Sequence, residues 1–106
     1  MQVANTKEHI KDTILGLRKK GVSIGFVPTM GALHKGHLSL INKALEDNHV
    51  VFVSIFVNPT QFDNKKDLKN YPRTLERDVA LLKTVSESKI FVYAPTVQDI
   101  YGKNPI

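Results

Sequence analysis

The sequence predicts an α/β fold in which a parallel sheet is covered by helices on both faces. Three observations carry that expectation. Short apolar runs rich in β-branched residues alternate with stretches of helical period, and each run is bounded by Gly, Pro or Asn. The run at Val50–Val57 is apolar almost throughout, as a central strand shielded on both sides should be. With 106 residues, 42% of them hydrophobic and 24% charged, the chain has the size and balance of one folded domain rather than of a disordered segment.

The elements follow in order. From Thr6 to Lys20, Ile10, Ile14 and Leu17 make one apolar stripe at helical spacing, and Gly21 is a stop signal. Val22–Val27 reads as a buried strand ending at Pro28. Gly31 and Gly36 punctuate the next turn, after which Leu38, Ile41, Ala44 and Leu45 recur on a second helix reaching about Asn48. Val50–Val57 is the second strand, broken by Asn58-Pro59, and a polar stretch, Asp63–Asn70, follows. Thr74 is a plausible N-cap for a third helix, with Glu76 and Asp78 early and Lys83 late, which suits the helix dipole. Lys89–Ala94 is the third strand, and Thr96–Tyr101 a short helical turn before Gly102. Strands and helices of these lengths imply right-handed crossovers. Three strands are fewer than the five or six usual in a doubly wound sheet, so a further stretch of the natural protein is expected beyond Ile106.

Fifteen Lys and Arg against ten Asp and Glu leave a formal charge of +5. The basic residues are spread along the chain with carboxylates between them, which reads as a solvated surface and not as a nucleic-acid groove. No apolar run approaches the ~20 residues of a bilayer span, and charges interrupt Met1–Lys20, so neither a membrane span nor a signal peptide is expected. The absence of cysteine excludes disulfides and thiolate chemistry and fits a cytoplasmic protein.

Ligands of parallel α/β sheets bind at the carboxyl ends of the strands, and three polar clusters fall there. The first is Pro28-Thr29-Met30-Gly31-Ala32-Leu33-His34-Lys35-Gly36-His37. Its glycines allow close backbone approach, and the free N–H groups of a helix start can hold an anion. His34 and His37, three apart, share a face of that start, and the helical spacing of His37 to Ile41 and Ala44 turns it inward over the end of the sheet. Two imidazoles beside an anion site can donate to phosphate oxygens as charge builds during in-line attack. Either could instead be a capping or packing residue. Zinc is disfavoured, since HExxH is absent, and neither a Walker A loop nor GxGxxG occurs. The second cluster, Asn58-Pro59-Thr60-Gln61-Phe62, offers two amides able to orient a hydroxy-carboxylate, though Asn-Pro alone is also common turn chemistry. The third is Tyr71-Pro72-Arg73-Thr74 with Asp78, where Asp78 could equally be a partner of the helix dipole.

VPTMGALHKGHLSLI (Val27–Ile41), VSIFVNPTQF (Val53–Phe62) and YPRTLERD (Tyr71–Asp78) together resemble, in order and spacing, the amino-terminal part of the pantothenate synthetase (pantoate–β-alanine ligase) family. The bare His-x-Gly-His is shared with the wider HIGH-motif nucleotidyltransferases; the longer stretch is specific. The resemblance implies a Rossmann-like domain of nucleotidyltransferase type, of which residues 1–106 form the amino-terminal part, with the rest of that domain and a lid domain absent. It implies a ligase of pantothenate biosynthesis that joins pantoate to β-alanine through pantoyl adenylate, using ATP with Mg²⁺ and releasing AMP and pyrophosphate. By motif, Met30, Gly31, Ala32, Leu33, His34, Lys35, Gly36 and His37 would line the ATP site. His37 would be the catalytic histidine with His34 beside it. Gln61, Asn58, Met30 and Tyr71 would serve pantoate and β-alanine. No direct metal ligand is implied, Asp78 being the nearest candidate. A homodimer is also implied. Without the family's later nucleotide-binding segments the 106-residue chain is expected to be inactive alone. The alternatives are another His-x-Gly-His nucleotidyltransferase with a phosphorylated acceptor, and a non-catalytic binding or dimerisation fragment with an open strand edge.

Overall fold

Residues 1–57 and 74–101 are described by the structure, a computed structural model. In chain order they form β1 (Val3–Ala4), α1 (Lys7–Lys19), β2 (Ile24–Thr29), α2 (Lys35–Asp47), β3 (Val50–Ile55), α3 (Leu75–Lys83), β4 (Ile90–Tyr93) and α4 (Val97–Tyr101). The strands are parallel and lie in the order β1-β4-β3-β2.

Two expectations change. A fourth strand, β1, precedes the first helix. Two residues have no periodicity of their own; β1 forms because the carbonyls of Gln2 and Ala4 accept the N–H groups of Val92 and Ala94 at 3.0 and 2.8 Å. The second change is that β2 runs through Pro28 instead of ending there. Ser23 and Thr29 carbonyls accept from Val50 and Phe56, so the odd-numbered residues of β2 face β3 and the even ones face outward. Among the described residues β2 is an edge strand, and the N–H that Pro28 lacks would have pointed away from the sheet.

Register places the core. Val27 pairs with Val53, and Val53 with Val92, so these buried side chains stand on one face with Val51 and Ile90. There they meet Ile41 of α2, Leu82 of α3 and Leu33 from the turn between β2 and α2. Phe26, Phe52 and Phe91 are also in register and stand on the opposite face, where the Phe52 and Phe91 rings stack at 4.9 Å. A right-handed crossover from β1 to the far edge puts α1 on that second face, whereas the return through β3 and β4 puts α2 and α3 on the first. Helices thus cover both sides, as the sequence predicts. Thr6 caps α1, its hydroxyl accepting the His9 N–H at 3.2 Å. No helix among the described residues is long and apolar enough to cross a membrane.

Candidate active site

The carboxyl ends of β2, β3 and β4 open into a cleft of about 320 Å³, bounded by Met30 and Gly31, by Ile55–Val57, by Ala94–Val97 and by the start of α3 at Thr74, Leu75 and Asp78. Its location matches the rule for parallel sheets. The wall toward β2 is a tight turn whose conformation is costly. Gly31 and Ala32 both have positive φ, 86° and 51°. Glycine tolerates this, and a Cβ at Gly31 would also lie 3.1 Å from Asp78 Oδ2 and 3.2 Å from Ile55 Cγ2. Alanine in the left-handed region costs roughly 1–2 kcal/mol, so something must hold it there.

That holder is Asp78. Its side chain is wholly buried, 0% exposed, on the inner face of α3. Oδ2 accepts the Ala32 N–H at 3.0 Å and the Thr74 hydroxyl at 3.2 Å; Oδ1 accepts the Leu33 N–H at 2.9 Å and Arg77 Nη1 at 3.3 Å. Thr74, expected to cap α3, spends its hydroxyl on this carboxylate and makes no side-chain cap bond. On the other flank, Thr29 Oγ1 accepts the Gly31 N–H and donates to the Ser54 carbonyl, tying the turn to β3. Four protein donors on two oxygens leave Asp78 as a clamp on the turn. No group of three or more His, Cys, Asp or Glu among the described residues could hold a metal ion.

The turn delivers the two histidines. His34 is the N-cap of α2, and its Nδ1 accepts the Gly36 N–H at 3.0 Å. His37 Nδ1 accepts the His34 N–H at 3.1 Å, completing a reciprocal capping box made of two imidazoles. A Cβ at Gly36 would lie 2.8 Å from His34 Cε1, so glycine lets the His34 ring keep this position. The ring centroids are 4.2 Å apart. Since a backbone N–H can only donate, both Nδ1 atoms must carry lone pairs, and each neutral ring bears its proton on Nε2. Each ring therefore presents an Nε2–H donor on the side away from the helix start. Desolvation, then the neighbouring His34, holds the His37 pKa below its ordinary value against a smaller opposing pull from Asp78. That favours the neutral ring, whose tautomer the His34 N–H sets.

His34 is exposed and His37 half-buried, so His37 sits at the rim and does not turn fully inward as its spacing suggests; the bond to the His34 N–H fixes the ring over the helix start. Neither imidazole is among the described residues that line the cleft. Met30 and Gly31 do line it, and Leu33 is buried in the core as an anchor. Lys35 is exposed in the first turn of α2. Asn58, Gln61 and Tyr71 lie outside the described residues. Arg77 carries no local signal of a role at the site, because the Leu33 carbonyl to which it donates is 44 residues away.

The capping geometry makes a clean expectation. His34→Ala should destabilise the chain by about 1 kcal/mol, whereas His34→Asn, a good N-cap, should stay within about 0.5 kcal/mol of the parent while losing the outward Nε2–H. Urea unfolding of both variants measures this.

Residues 2–105 match the Pantoate-beta-alanine ligase family. A pantothenate synthetase of Christiangramia forsetii is 53% identical over 102 residues, covering 96% of this chain and 36% of the relative. One from Flavobacterium psychrophilum is 65% identical over 79 residues, 74% of this chain and 28% of that one. Among solved structures, a pantoate-beta-alanine ligase from Francisella tularensis, complexed with beta-gamma ATP and beta-alanine, superposes with a TM-score of 0.87 at 42% identity, covering all of this chain and 40% of that one. The chain thus spans little more than a third of the length of the curated relatives that it matches along nearly its whole extent. With its motif intact and its sheet superposing on theirs, the chain belongs to the pantoate–β-alanine ligase family.

Proposed function

We propose that residues 1–106 are the amino-terminal, ATP-activating part of a ligase that condenses pantoate with β-alanine. The observation that carries this reading is the imidazole pair at the start of α2, whose Nδ1 atoms are committed to backbone N–H groups so that each neutral ring keeps an Nε2–H donor for an anion. A carboxylate oxygen of pantoate attacks the α-phosphorus of ATP in line, and the bond to the bridging oxygen breaks with its electron pair leaving on pyrophosphate. The histidines donate to oxygens that gain charge in that step. The amine of β-alanine then attacks the acyl carbon of the adenylate, AMP departs with the acyl C–O electron pair, and the amine loses a proton as the amide forms.

In this reading the cleft beside Met30 and Gly31 takes the acceptor acid, with Asn58, Gln61 and Tyr71 as its polar contacts. Mg²⁺ arrives on the ATP phosphates, since Asp78 is already occupied by protein donors. The rest of the nucleotide-binding domain and a lid would come from the part of the relatives that this chain does not span. A cytoplasmic setting suits an enzyme that consumes ATP.

The test joins residues 1–106 to the remaining two-thirds of the Christiangramia forsetii relative and measures AMP release. Release that requires both pantoate and β-alanine is the expected result. Release that ignores pantoate and follows a phosphorylated acceptor would move the chain to another branch of the His-x-Gly-His nucleotidyltransferases.

A homodimer is proposed through the β2 edge. Phe26 is 60% and Leu40 59% exposed there, beside a groove that also includes Pro28 and Lys43. Pro28 prevents a continuous ladder with another strand, so side-chain packing is the expected mode. Phe26→Lys with Leu40→Lys should halve the mass measured by light scattering; an unchanged mass would discard this surface.

A further inference from the structure

We propose that Arg77 is a positioning residue for His37, acting through the Leu33–His34 peptide group. The proposal rests on the reading of His37 as a phosphate-contacting residue. Arg77 Nη1 donates to the Leu33 carbonyl at 3.2 Å and to Asp78 Oδ1 at 3.3 Å. The amide N–H of the same peptide group belongs to His34, and it donates to His37 Nδ1 at 3.1 Å. A continuous chain therefore runs from guanidinium to carbonyl oxygen, through the amide, to the imidazole. Cooperativity along such a chain has a definite sign. A cation on the oxygen draws electron density out of the amide and makes its N–H a stronger donor. That N–H engages the Nδ1 lone pair, so Arg77 favours the neutral ring with its proton on Nε2, the form that donates outward.

The arrangement also orients. Arg77 and Asp78 are consecutive in α3, and between them they hold both backbone groups of Leu33, the N–H on the carboxylate and the carbonyl on the guanidinium. Leu33 cannot rotate to accommodate a different His34, because its side chain is wholly buried. Both bonds come from the single nitrogen Nη1, a role that an ammonium with three N–H donors can fill in part. Among the described residues the groups that face His37 are His34, whose ring centroid is 4.2 Å away, and Asp78, which favours the protonated ring; Arg77 opposes Asp78 through the peptide.

The Arg77 side chain is 60% exposed, so its removal leaves no cavity. The test is carried out on the 106-residue chain labelled with ¹⁵N in its histidines, comparing the parent with Arg77→Met and Arg77→Lys by long-range ¹H–¹⁵N spectra during a pH titration. Arg77→Met is expected to lower the Nε2–H fraction of His37 and raise its titration midpoint by about half a pH unit, a change well inside the spread that folded surroundings impose on histidines. Arg77→Lys should recover part of both. Unchanged ¹⁵N shifts and midpoint in Arg77→Met would overturn the proposal, as would loss of the fold in that variant or no recovery in Arg77→Lys. ATP titration of the same substitutions in the chimera with the Christiangramia forsetii relative separates the two readings. A His37 response to Arg77 without ATP binding upholds the positioning role and counts against the ligase reading; ATP binding with an unresponsive His37 does the reverse.

Discussion

Asp78→Ala is expected to cost about 3–5 kcal/mol of folding free energy, the range seen when one partner of a buried charged network is deleted. The reason is local and countable. Removing the carboxylate strips the acceptor from the Ala32 and Leu33 N–H groups and from the Thr74 hydroxyl. The buried Leu33 N–H left unpaired costs about 1–3 kcal/mol, and the half-buried Ala32 N–H and Thr74 hydroxyl add to it. The turn cannot swing out to water to escape this, because Leu33 is wholly buried behind it. Asp78→Asn keeps the shape and one acceptor oxygen, yet its amide NH₂ must face a backbone N–H, so a loss of about 1–3 kcal/mol is expected. A domain of this size has only about 5–15 kcal/mol in total, which makes Asp78→Ala a near-unfolding change. Urea unfolding followed by far-ultraviolet circular dichroism measures both variants. A loss below about 1 kcal/mol for Asp78→Ala would mean that the carboxylate does not hold the turn.

The second large effect is on activity. In the chimera with the Christiangramia forsetii relative, His37→Gln is expected to lower pantoate-dependent AMP release by about 10²–10³-fold, the usual consequence of removing one donor aimed at developing charge. Glutamine is the informative substitution. At the third position of a helix its side-chain oxygen can accept the N-cap N–H, as His37 Nδ1 does from His34, so the capping box survives. Stability should therefore stay within about 0.5 kcal/mol of the parent. His37→Ala removes the acceptor as well and should lose both activity and some stability. If His37→Gln retained activity within threefold of the parent, a fold-change of about 0.65 kcal/mol in barrier, the imidazole would not be acting on the transition state.

Several features were readable in the sequence because their causes are local. The stripe of Ile10, Ile14 and Leu17 and the apolar run at Val50–Val57 depend on neighbours within a few residues. The pairing of His34 with His37 is of the same kind, since a spacing of three places both rings on one helix start. Which ring nitrogen each uses was not readable. That depends on where the Gly36 and His34 N–H groups point, and so on the extended backbone of His34, with φ −143°.

The sequence by itself determined the succession of strands and helices, the motif from Pro28 to His37, and the family to which the chain belongs. Only the tertiary structure decided that Val3–Ala4 is a strand, that Pro28 sits within β2 at the edge of the described sheet, and that Asp78 is a clamp on the turn. These three share a physical cause. A two-residue strand, a missing N–H that points off the sheet and a carboxylate bonded to backbone 45 and 46 residues away take their meaning from partners distant in the chain. Local periodicity records which way a side chain faces along its own element. It carries no record of what the fold brings to meet it.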